Sequence, residues 1–171
     1  VNDVKIGIFS EDVEYDLSQF DCGEESLNTF LTEHLKRQHR GKFLRGYVLT
    51  TRETKPRILG YYTLSGSCFE KAYLPSKTQQ KPYKNVPSVT LGRLAIDKRI
   101  QGQGYGELLV IHAMKTVYLA SFAVGIHGLF VEALNHKAKD FYLKMGFIPL
   151  LAENAFTLFL PTKTFERVFE E

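Results

Sequence analysis

From Val86 to Met145 the chain reads strand, glycine-rich turn, helix, strand and short helix, and this order constrains the fold more than any other stretch. The apolar run Val89-Thr-Leu-Gly-Arg-Leu-Ala-Ile96 suits a buried strand. It leads into Asp97-Lys-Arg-Ile-Gln101-Gly-Gln-Gly-Tyr-Gly106, and a helix is expected from Gly106 to Phe122, with Leu109, Val110, Ala113 and Val117 on its apolar face. Gly102, Gly104 and Gly106 therefore stand at a helix start. Unpaired backbone N–H groups and the positive end of the helix dipole attract an anion there. Glycine lets that backbone bend towards a pyrophosphate with no Cβ in the way.

Two common phosphate loops are excluded letter by letter. A nucleotide-hydrolysing P-loop needs Gly-Lys-Ser/Thr at the helix start, whereas Gly106 is followed by Glu107 and Leu108. A dinucleotide fingerprint needs G-x-G-x-x-G, but the spacing here is G-x-G-x-G, past mid-chain and with no βαβ series behind it. What remains is Gln-x-x-Gly-x-Gly, at Gln101, Gly104 and Gly106.

The length of 171 residues fits a single domain, residues 1–171, with a sizeable core. Leu119 to Leu134 is the nearest approach to a membrane span, and Gly125, His127, Gly128 and Glu132 break it, so no membrane partner is expected. Without a basic-then-apolar export pattern, a cytoplasmic location is expected. Cys22 and Cys68 lie far apart, so they are expected as reduced buried thiols and no metal site is expected. Net charge is only +3, yet the cations cluster. Lys36, Arg37, His39, Arg40, Lys42 and Arg45 crowd one stretch, Lys77, Lys81 and Lys84 another, and Arg93, Lys98 and Arg99 flank the glycine turn. Such clusters suit a polyanionic partner, although a solvated face is their plain alternative.

The remaining elements follow from periodicity. Val4 to Phe9 alternates like a strand. A helix is expected from Phe20 onward to Arg40, with Leu27, Phe30, Leu31 and His34 on one face and Gly41 as its stop. Phe43 to Thr51 and Arg57 to Ser67 read as a hairpin, and Leu74 to Pro87 as an irregular loop. Gly128 to Leu134 is a strand, His136 to Met145 a short helix, and Phe147 to Leu150 and Phe156 to Pro161 short strands.

The Gln101–Gly106 spacing, with its strand and helix, resembles the cofactor loop of the GNAT superfamily of acetyl-CoA-dependent N-acetyltransferases. Phe20-Asp-Cys-Gly-Glu-Glu-Ser-Leu-Asn-Thr-Phe-Leu31, Leu59-Gly-Tyr-Tyr-Thr-Leu-Ser65 and Gly92-Arg-Leu-Ala-Ile-Asp97 sharpen the likeness. Together they resemble the aminoacyl-tRNA-acetylating toxins of that superfamily, nearly end to end. The resemblance implies an α/β (α+β) GNAT fold, its mixed central sheet splayed at the cofactor site and flanked by helices. It implies that Gln101, Gly102, Gln103, Gly104, Tyr105 and Gly106 hold the pyrophosphate of acetyl-CoA (acetyl-coenzyme A). The backbone of Leu94, Ala95 and Ile96 would pair with pantetheine like an added strand and present an N–H to the acetyl oxygen.

Asn135-His-Lys-Ala-Lys-Asp-Phe-Tyr-Leu-Lys-Met-Gly-Phe147 resembles the last motif of the superfamily, which assigns Tyr142 to the coenzyme sulfur. A thiol of pKa ~8.5 is a good leaving group, and a phenol near ~10 can donate a proton to it. Asn135 can cap this helix and reach a pantetheine amide. No convincing general base is visible. Glu132 could polarise a water, but a glutamate at a strand end is more often solvated or paired.

That gap bears on the acceptor. A lysine at ~10.4 must shed a proton before attack, whereas an α-amine at ~7.7–8.0 is already partly neutral. An aminoacyl ester is favoured over lysine on this ground. By resemblance the substrate is an aminoacyl-tRNA, initiator methionyl-tRNA first, with isoleucyl- or glycyl-tRNA open. Arg37, Arg40, Lys42, Arg45 and Arg93 are the expected tRNA contacts. The resemblance also implies a toxin–antitoxin module, with a ribbon-helix-helix antitoxin as partner and repressor and operator DNA reached through it. Pairing of two copies is left open. The rivals are acetylation of a small amine or protein N-terminus, and a non-catalytic coenzyme- or RNA-binding module.

Overall fold

The residues Ile58-Leu-Gly-Tyr-Tyr-Thr-Leu64 are buried at every position, as expected of a strand covered on both faces. Around them the computed structural model describes residues 3–74, 85–151 and 154–170; Lys77, Lys81 and Lys84 lie outside the described residues. The strands are β1 (Val4–Ile8), β2 (Arg45–Thr51), β3 (Ile58–Glu70), β4 (Asn85–Ile96), β5 (Gly128–Glu132), β6 (Ile148–Pro149) and β7 (Thr157–Pro161). The helices are α1 (Glu25–Thr29), α2 (Leu35–Arg40), α3 (Tyr105–Ala120), α4 (His136–Lys144) and α5 (Thr162–Phe169). The strands make one mixed sheet in the order β1-β2-β3-β4-β5-β7-β6.

Two compact units are present. The first comprises Val1–Ser65 and Gly92–His112. In it β1, β2 and β3 form an antiparallel meander, from Val4↔Thr51 to Arg45↔Leu64, with an irregularity between Leu49 and Thr50. Its core joins Phe30, Leu31 and Leu35 to Val48, Ile58, Tyr61 and Ala95. The Tyr61 hydroxyl donates to the Leu27 carbonyl at 2.7 Å, which fastens α1 to the sheet. Beside that core Tyr47 stacks on Tyr62 at 4.9 Å, and the Tyr62 hydroxyl meets His112 Nδ1 at 2.6 Å.

The second unit comprises Gly66–Leu91 and Ala113–Glu171. Here β4 and β5 pair in parallel, from Ser88↔Gly128 to Leu91↔Val131, a pairing that needs the long crossover α3 supplies. β7 pairs antiparallel with both β5 and β6. Leu74, Val86, Leu150 and Phe159 form its core, with Phe69 edge-on to Phe159 at 5.0 Å.

Three expectations are corrected and one element is added. The helix before Gly41 is not uniform: Phe30–His34 is a π-helical turn in which the Leu35 N–H reaches back to Phe30 O. The extra residue rotates Leu35 to full burial and leaves His34 only half-buried. Cys22 is buried, but Cys68 is exposed, because β3 changes beyond Ser65 from two-sided burial to alternation. β4 begins at Asn85, before Pro87, whose carbonyl accepts from His127 N–H at 2.8 Å. The chain also ends in an unexpected helix, α5, with Phe165 buried.

Candidate active site

The glycine turn has the geometry that an anion cradle requires. Asp97 caps the short 3₁₀ turn Lys98–Ile100, and Gly102 and Gly104 take φ values of +78° and +88°, a region costly for any other residue. A Cβ at either position would meet no atom within 4 Å, so the open side of the turn is free for a ligand. Among the described residues, the N–H groups of Gly102, Gln103, Gly104 and Gly106 have no protein acceptor. They lie at the start of the sixteen-residue α3, where its dipole adds positive potential. This donor set fits a pyrophosphate.

Gln101 plays a different part from the glycines. Its side-chain amide donates to Cys22 O at 2.9 Å and Ile96 O at 2.7 Å, so it braces the turn against β4 and the N-terminal segment. Sequence reasoning missed the rest of this brace. The Asp97 side chain is 1% exposed and accepts from Arg99 Nε at 3.0 Å, Arg99 Nη2 at 3.1 Å and the Asp21 N–H at 3.3 Å. Burial alone would push its carboxyl up, but the Arg99 and Asp21 hydrogen bonds outweigh that and hold it below the ordinary carboxylate value. Asp21 is held down to about 2 by hydrogen bonds from Lys98, Gly23 and Asn28. The legible signal was an Asp placed directly between an apolar strand and a Lys-Arg turn.

The β4–β5 ladder ends at Leu91, and β4 continues through Gly92–Ile96 with no β5 partner among the described residues. Leu94 is half-buried there, and Ala95 and Ile96 are buried. Arg93 lays its guanidinium 3.7 Å above the centre of the Phe30 ring. Neither a hydrogen bond nor an ion pair engages that guanidinium among the described residues.

The second unit carries the tyrosine. Asn135 Oδ1 accepts from Ala138 N–H at 2.9 Å and caps α4, which holds Tyr142 in its last turn. Tyr142 is buried, packed edge-on to Phe141 and Phe147, each at 5.2 Å. Burial alone raises its phenol above the ordinary value, with no charge or hydrogen bond offsetting it. Glu132 is engaged by the Asn154 side chain.

The basic stretch divides. Lys36, Arg37, Arg40 and Lys42 are exposed, and Arg45 is half-buried with Nη1 donating to His39 O at 3.1 Å. Arg40 pairs with Glu11, and Arg37 Nη2 lies 3.2 Å from His34 Nδ1. His39 itself is buried, accepts from Gly46 N–H at Nδ1, and has its imidazole pKa lowered chiefly by burial. No helix among the described residues is long and apolar enough to cross a membrane, and no cluster of metal-ligating side chains is present among them.

Residues 45–149 match the acetyltransferase (GNAT) domain family. A tRNA-acetylating toxin from Mycobacterium tuberculosis (strain ATCC 25618 / H37Rv) is 30% identical over 132 residues, covering 77% of this chain and 78% of the relative. Among solved structures, AtaT complexed with acetyl-methionyl-tRNAfMet is 61% identical at a TM-score of 0.93, covering 98% of this chain and 99% of that one. A tyrosine-to-phenylalanine mutant of AtaT, bound to the C-terminus of the antitoxin AtaR and acetyl-CoA, is 56% identical at a TM-score of 0.88, covering 99% and 100%.

Proposed function

The chain belongs to the GNAT acetyltransferase family, and on that footing we propose that it is a toxin that moves the acetyl group of acetyl-CoA onto the α-amine of an aminoacyl-tRNA. The observation that carries the substrate is the 61% identity, over 98% of the chain, to AtaT in complex with acetyl-methionyl-tRNAfMet. Initiator methionyl-tRNA is accordingly the favoured acceptor, and its N-acetylation stops translation. The whole chain acts as one N-acetyltransferase domain in the cytoplasm. A ribbon-helix-helix antitoxin neutralises it and carries operator DNA, a reading supported by the likeness to AtaT bound to AtaR.

Acetyl-CoA supplies an activated acyl group, and the residues of this chain bind it, orient it and manage protons. The N–H groups of Gly102 to Gly106 hold the pyrophosphate, with Gln101 and Asp97 keeping the turn in shape. The free run of β4 at Leu94, Ala95 and Ile96 offers backbone groups to the pantetheine amides and an N–H to the acetyl oxygen as negative charge grows on it. A C–N bond forms to the α-amine while the C–S bond breaks. Tyr142, a phenol protonated at neutral pH, donates to the departing sulfur. Water takes the amine proton, since Glu132 is already engaged and an α-amine at ~7.7–8.0 is an easy donor. Arg93, Arg37, Lys42 and their neighbours receive tRNA phosphates.

The test offers labelled acetyl-CoA to charged initiator tRNA, other charged tRNAs, polyamines and N-terminal peptides. Label should enter charged tRNA and move with the amino acid on alkaline release. Labelling of polyamines or peptides in preference to every charged tRNA would overturn the reading.

A further inference from the structure

The turn Gly41-Lys42-Phe43 between α2 and β2 displays a large aromatic ring where folding would ordinarily hide one. Phe43 is 76% exposed. Its position is built rather than loose. Three backbone bonds close the turn, from Gly41 N–H to Arg37 O at 2.9 Å, Lys42 N–H to His39 O at 3.2 Å and Phe43 N–H to Gln38 O at 3.1 Å. Lys42 adopts a φ of +61°, the single left-handed non-glycine among the described residues, at a cost in strain. The Phe43 ring lies over Gly41, where an added Cβ would sit 2.9 and 3.0 Å from two ring carbons. One edge of the ring thus rests beside the backbone of a residue without a side chain, and most of the ring is left to solvent. On the same α2–β2 segment Lys36, Arg37 and Lys42 are exposed, and none of them is paired with a carboxylate among the described residues.

We propose that Phe43 is a stacking platform for an unpaired base of the RNA substrate, with Lys36, Arg37 and Lys42 holding the flanking phosphates. An exposed flat ring on a segment rich in unpaired cations matches a single-stranded nucleotide run, whose bases offer π-faces and whose backbone offers charge. A partner protein would gain from the ring but would need its own acidic complement to the three cations. The inference rests on the tRNA-acetylating reading above and extends it to a contact on the α2–β2 turn.

Affinity for deacylated tRNA, for a single-stranded oligoribonucleotide and for a blunt RNA duplex is measured for wild type, Phe43→Ala, Phe43→Leu and Phe43→Tyr. Phe43→Ala and Phe43→Leu should weaken tRNA and single strand by roughly 5- to 100-fold, Phe43→Tyr should bind like wild type, and duplex affinity should barely move. Acetyl-CoA affinity and thermal midpoint report that each variant is folded. Unchanged single-strand affinity in Phe43→Ala overturns the platform, as does rescue by leucine, which packs but cannot stack. A loss seen only in binding of a protein antitoxin, with RNA affinity intact, assigns the ring to a protein contact and also overturns it. Failure of the wild-type protein to acetylate any charged tRNA, with Phe43-dependent RNA binding preserved, sinks the enzymatic reading alone.

Discussion

Tyr142 illustrates how one residue is set up by its surroundings. The order of motifs picks it out, but packing between Phe141 and Phe147 on a capped helix buries its phenol and raises its pKa above the ordinary value. Replacing it with Phe keeps the ring packing and removes only the donor. Tyr142→Phe should retain its fold and its acetyl-CoA affinity while slowing acetyl transfer by roughly 10²–10⁴-fold, read by single-turnover kinetics. Wild-type single-turnover rates would strip Tyr142 of its role. Gly104 is the matching position in the cradle. Gly104→Glu forces a side chain onto a φ of +88° and sends a carboxylate into the open face of the turn. Calorimetric titration should show acetyl-CoA binding reduced beyond detection in a protein that still melts cooperatively. Retained affinity would mean the loop is structural. Gln101 makes a caution at the same scale: the letter stands within the motif, yet its amide grips Ile96 and Cys22 rather than facing outwards.

At the scale of elements, α1, the π-helical turn and α2 form one segment with two faces. The inner face, Phe30, Leu31 and Leu35, is core; the outer face carries Lys36, Arg37 and Arg40. Helical spacing alone places His34 with the apolar set, and only packing against the sheet reveals the extra residue that puts Leu35 there instead. The outer face yields a prediction about salt. Arg40 is already tied to Glu11, so the cations most free to meet phosphate are Lys36, Arg37 and Lys42. Changing these three to Gln should raise the KM for charged tRNA and flatten the slope of log affinity against log salt by about 0.7–0.9 for each phosphate no longer neutralised. Filter binding at several salt concentrations measures this, with acetyl-CoA affinity as the unchanged control. An unaltered slope would transfer the polyanion role to Arg93 and the lysines at Lys77, Lys81 and Lys84.

Over the whole molecule, the pH response comes from acids held ionised by their hydrogen-bonding partners, Lys98 for Asp21 and Arg99 for Asp97. Asp21 is held down to about 2 from an ordinary 3.8, chiefly by Lys98, and Asp97 is also held below its ordinary value. A depressed carboxylate stabilises the folded state fully above its unfolded value, and that stabilisation disappears as pH falls through the folded one. Asp21→Asn should therefore unfold more easily than wild type in urea at pH 7, and the gap should close as pH drops from about 3.8 towards about 2. A gap that persists undiminished at pH 2 would show that the Asn change acts through packing instead.

Local order is legible in the chain of letters: the strand–glycine turn–helix unit, the hairpin, the capped helix bearing Tyr142 and the stop at Gly41. Each of these is a matter of backbone preference and hydrophobic period within a few residues. What depends on residues far apart in the chain emerged only on folding. Packing joined Asp97 to Asp21 and Gln101 to Cys22, laid Arg93 over Phe30, inserted the π-helical turn that buries Leu35, and turned Cys68 to solvent. Which side chain meets which, and so which charge is paired, is set by the packing of segments around a shared core, and no local pattern contains that information.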